Sequence, residues 1–78
     1  MENNNNNNNE RVNTIRDRVK RLQELGVKPN VYAIYLGIPL KKVYNFLGGK
    51  INFAKDLDTL DELERLVSEL EDIFFKNN

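Results

Sequence analysis

The chain has 78 residues, twelve Lys and Arg against twelve Asp and Glu, and neither cysteine nor histidine. Disulfides, the usual zinc sites and catalytic dyads or triads that need Cys or His are therefore excluded, and one small domain is the most this length carries. No stretch reaches the roughly twenty apolar residues of a membrane span and no apolar leader follows Met1, so a cytoplasmic location is expected.

Asn3 to Asn9 is an unbroken run of asparagines. It has nothing apolar to bury, so residues 1–9 are expected to be a disordered tail and 10–78 a single domain. A first helix is predicted from near Glu10 to just before Gly26. Val12, Ile15, Val19, Leu22 and Leu25 recur every three or four residues and form its apolar stripe. Arg11, Arg16, Arg18, Lys20 and Arg21 lie off that stripe. A second helix opens on Pro29, well placed where no N–H is needed, and runs to Leu36. A third covers about Leu40 to Leu47 and stops at Gly48-Gly49. Residues 50–57 read as a loop or short helical turn.

The last helix is the longest. Asp58 or Thr59 can cap it, with Asp61 or Glu62 three residues on. Leu60, Leu63, Val67, Leu70 and Phe74 follow alternating three- and four-residue steps, flanked by Leu66 and Ile73. The end of this stripe, Leu70, Ile73, Phe74 and Phe75, extends past what a small core needs. It either packs within the chain or forms a dimer interface. The fold class that follows is all-α: four or five short helices around a central helix-turn-helix, with an Asn-rich N-terminus.

Residues 29–48 carry the most specific pattern. Ala33 is small where two helices cross closely. Gly37, four residues later, suits the left-handed backbone that ends a helix. Ile38 turns inward, and Val43 and Phe46 give the third helix one apolar face. That leaves Leu40, Lys41, Tyr44 and Asn45 outward, and lysine and asparagine suit base edges in a major groove. Charge supports the same face. Residues 1–55 hold ten Lys and Arg against four acids, net +6, whereas residues 56–78 are net −6.

This pattern, together with Leu25-Gly26-Val27 ahead of it and Gly49-Lys50 behind it, resembles the phage repressor and Cro type of helix-turn-helix domain from Val12 to about Leu70. The resemblance implies an all-α fold whose third helix enters the major groove, and operator binding as a dimer. Departures from the family pattern are Pro29 and Lys28 where a polar opener and a capping Ser or Thr are usual, Pro39 in the turn, and Gly48 at a base-contact position.

The function expected is a sequence-specific DNA-binding transcriptional regulator of phage or mobile-element type. Leu40, Lys41, Tyr44 and Asn45 would face bases, and Lys28, Asn30, Lys42 and Lys50 phosphates. Its partners would be double-stranded DNA and a second copy. The alternative is a small protein of the same fold that binds and inhibits a protein partner, using its acidic half and apolar end. Asp61 and Glu64 are acids on an exposed helix with no second group to complete a mechanism, so no enzyme, cofactor or metal is expected.

Overall fold

The computed structural model describes the backbone of residues 3–76 and the side chains of residues 9–75. Among these residues are four α-helices: α1 (Asn3–Glu24), α2 (Pro29–Leu36), α3 (Leu40–Leu47) and α4 (Leu57–Glu71), the last passing into a π-helical turn, Asp72–Lys76. No strand occurs among the described residues. Helix α1 begins at Asn3 rather than near Glu10. A helix nucleated by a packed stripe extends beyond it because each added residue gains a hydrogen bond from a turn already formed. Asn9 and Glu10 are exposed, and the first buried side chain among the described residues is Val12. The rest of the tail expected at residues 1–9 lies, in its side chains and at Met1 and Glu2, outside the described residues.

The core is the stripe of α1 (Val12, Ile15, Val19, Leu22) against that of α4 (Leu60, Leu63, Leu66, Val67), closed by Tyr32, Ala33, Val43 and Phe46. Leu25 does not belong to it. Helix α1 ends first, and Val27 folds back with its N–H donating to the Leu22 carbonyl at 3.0 Å while Gly26 donates to Gln23. This lock puts Val27 in the core and leaves Leu25 exposed.

The same lock closes α2. Gly37 takes φ 69°, and Ile38 donates to the Ala33 carbonyl at 3.0 Å. The backbone then turns through Pro39, which caps α3 in extended geometry. At φ 69° a side chain would be strained by its own carbonyl, so glycine at this point fixes the angle at which α3 leaves α2.

The start of α4 also differs from expectation. Its cap is Asp56, not Asp58 or Thr59, with the Asp56 carboxylate accepting from the Thr59 N–H at 3.2 Å and from the Thr59 hydroxyl at 2.6 Å. Before it, residues 51–55 form no helix, but Phe53 turns inward and stacks on Phe46 with ring centroids 5.2 Å apart. Phe53 takes φ 54°, a conformation costing about 1–2 kcal/mol for an L residue, which burial and stacking offset.

Candidate functional site

The outward side of α3 is set by what its inward side buries. Val43 and Phe46 enter the core, and Leu47 packs against its edge. On a helix this leaves Leu40, Lys41 and Tyr44 exposed and Asn45 half-buried. All four expected base-facing residues therefore share one helix face. Lys50 is joined to that face through the backbone: its N–H donates to the Asn45 carbonyl at 2.8 Å. Lys42 is exposed on the flank nearer α4, where its charge helps hold the Asp56 carboxyl below its ordinary range, after the larger effect of the Thr59 hydrogen bonds. Lys28 and Asn30 are exposed at the start of α2, with Lys28 in the capping position and making no side-chain cap bond.

Arg16 holds this face in place, a role not apparent from its position off the α1 stripe. Its guanidinium donates to the Phe46 carbonyl at 2.7 Å and to the Ile51 carbonyl at 3.3 Å, and lies 4.9 Å from the centre of the Phe46 ring. One planar fork thus spans the end of α3 and the loop after it, where helix carbonyls lack intrahelical donors. Asn13 orients the fork by accepting from it at 2.9 Å.

The other arginines of α1 engage α4. Arg11 donates to Glu64 at 2.6 Å and also pairs with Asp61. Arg18 donates to Glu71 at 2.6 Å and to Ser68 at 3.1 Å. Both arginines have their pKa raised, chiefly by these side-chain hydrogen bonds, and the Arg18 contact holds Glu71 below its ordinary range. The net charges of the two chain halves are therefore not the charges of two separate faces. The basic charge of α1 is partly neutralised on α4. The stretch 25–55, by contrast, contains Lys28, Lys41, Lys42, Lys50 and Lys55 and no Asp or Glu at all. None of these lysines forms an ion pair within 4 Å among the described residues.

The residues expected to dimerise are divided. Leu70 and Phe74 pack in part against the core of their own chain. Ile73 is 58 % exposed, and Phe75 is exposed with the Arg21 guanidinium 5.0 Å from its ring centre. The core retains a gap of only about 10 Å³, lined by residues that include Val19, Tyr32, Phe46 and Phe53, too small for a ligand. No group of three or more acidic side chains among the described residues is placed to hold a metal ion, and no described helix is long and apolar enough to cross a membrane.

No family model matches the chain, and no curated protein or solved structure is a significant match to it.

Proposed function

We propose that the chain is a DNA-binding transcriptional regulator, of the kind found in phages and mobile elements, that lays α3 in the major groove of duplex DNA. The observation that carries this reading is the carboxylate-free stretch 25–55, which holds five lysines and whose helix α3 turns Lys41 and Tyr44, with the half-buried Asn45, to its outer side. Phosphates attract such a surface whatever the sequence, and the outward side chains of α3 supply discrimination. Lysine at position 41 suits the acceptors of guanine and Asn45 the donor–acceptor edge of adenine. Leu40 and Tyr44 offer apolar contact to a thymine methyl. Lys28, Asn30, Lys42 and Lys50 would meet the backbone. Pro39 and Gly48 add no donor, so this reading surface is small and favours two copies on two half-sites. Ile73 and Phe75 are the side chains through which those copies would meet.

Selection of sites from a random duplex pool tests the reading. A recurrent half-site should emerge. Asn45→Ala should then cost roughly 1–3 kcal/mol on that site and much less on random duplex, whereas Lys50→Ala should weaken both about equally. A pool that yields no recurrent sequence would contradict base reading by α3.

A further inference from the structure

The outer face of α2 is apolar, where a helix at a protein surface is ordinarily polar. The helix buries Pro29, Tyr32 and Ala33 and leaves Val31, Ile34 and Tyr35 exposed, Ile34 to 77 %. With successive residues turned by about 100°, Ile34 stands nearly opposite the buried side, so the fold cannot bury it without exposing Tyr32. Directly beyond the Gly37–Pro39 turn, α3 opens on the exposed Leu40. The proposed DNA surface uses the outward residues of α3 and the start of α2, and Val31, Ile34 and Tyr35 have no part in it. Exposed apolar side chains grouped on one helix face mark a contact surface.

We infer that this face docks a protein segment that is both apolar and acidic: an amphipathic helix whose apolar side chains cover Val31, Ile34 and Tyr35, and whose flanking carboxylates meet Lys28 and Lys41. Charge decides the occupant. Lys28 stands one turn before Val31 on the same side of α2, Lys41 adjoins Leu40, and residues 25–55 offer no acid to neutralise either. A second copy presenting the same face would set lysine against lysine. The outer column of α4, Asp58, Glu62, Arg65, Glu69 and Asp72, has the right charge but no apolar side chain among those five, and the exposed Ile73 and Phe75 beyond it are the side chains proposed above to meet each other between copies. A partner combining both chemistries satisfies the whole surface.

The inference shares Lys28 and Lys41 with the proposed DNA surface but not Val31, Ile34 and Tyr35, and it is tested through those without DNA. A displayed library of random peptides is selected on the full chain and counter-selected on Ile34→Ser, a change at an exposed position whose folding is checked by its melting temperature. Enriched peptides should combine aliphatic or aromatic residues with an excess of Asp and Glu. As synthetic peptides they should bind the wild-type chain roughly tenfold or more tighter than either Ile34→Ser or Lys28→Glu. Ile34→Ser should bind random duplex DNA as the wild type does. The inference is overturned by an absence of enrichment, by selected peptides without an acidic excess, or by binding insensitive to Ile34→Ser. It is also overturned if Ile34→Ser weakens duplex binding by the same factor, which would assign the face to DNA. Phosphatidylglycerol vesicles that bind the chain through Ile34 while the peptides do not would assign it to a lipid surface. A wild-type chain that binds peptides but no DNA would contradict the DNA reading alone.

Discussion

Among the described residues, Tyr32 is the one side chain whose polar atom the fold treats as apolar. Its ring is buried among the helices, and its hydroxyl has no hydrogen-bond partner among the described residues. Burial, assisted by the negative charge of Glu71, pushes its pKa up to about 12 from an ordinary value of 10.0. A group raised in the folded state stabilises it fully below the unfolded value and loses that contribution as pH rises through the folded one. Between about pH 10 and 12 the wild-type chain should therefore lose stability that Tyr32→Phe retains, a difference readable in melting curves. At neutral pH the same variant should be at least as stable as wild type, because it deletes an unpaired buried oxygen and orphans nothing. Marked destabilisation there would show that the hydroxyl has a partner. In the sequence Tyr32 is one of three tyrosines, and its burial follows only from its register with Ala33. Arg16 was legible only as a cation beside an apolar stripe. Its role depends on the carbonyls of Phe46 and Ile51, and side-chain periodicity carries no record of which backbone oxygens a distant side chain can reach.

Helices α1 and α4 are tied by matched pairs. Arg11 meets Glu64 and Arg18 meets Glu71, and both pairs span the same sequence separation of 53, so the two helices run in the same direction. Seven residues is close to two full turns, which keeps each series on one side of its helix. The spacing was visible in the sequence; which acid each arginine takes required the packing of the two stripes. Glu71 is held below its ordinary value of 4.5, first by the hydrogen bond from Arg18. A lowered carboxylate stabilises the fold fully above the unfolded value and less as pH falls through the folded one. Melting temperature should thus drop as pH is lowered below about 4.5, and Arg18→Gln should lower it at pH 7 while making the acid decline shallower. An unchanged acid slope would mean that the pair contributes nothing. The boundaries of α2 and α3 were legible because proline and glycine mark them directly. The cap of α4 was not, since Asp56, Asp58 and Thr59 are all competent caps, and the inward turn of Phe53 selects the first.

The molecule as a whole separates a pair of helices joined by ion pairs, α1 and α4, from a lysine-bearing unit, α2–α3, that has no carboxylate of its own. Helix-turn-helix organisation was legible from the positions of Ala33, Gly37, Val43 and Phe46. The division of the C-terminal apolar cluster was not, because four apolar residues in six give no sign of which pack inward. Since Phe74 packs partly on its own core, Phe74→Glu should destabilise the fold by roughly 1–3 kcal/mol. Phe75→Glu should leave it folded and, if copies meet through Ile73 and Phe75, convert a dimer to a monomer in light scattering. A wild-type chain that is monomeric at micromolar concentration would remove the dimer. The most direct test of DNA binding is titration of the wild-type chain against a random duplex at two salt concentrations. Lysines that displace counterions from phosphates predict an affinity that falls steeply as salt rises, with a shallower dependence for Lys50→Ala. Absence of binding even at low salt, or an affinity that ignores salt, would contradict DNA binding through these lysines.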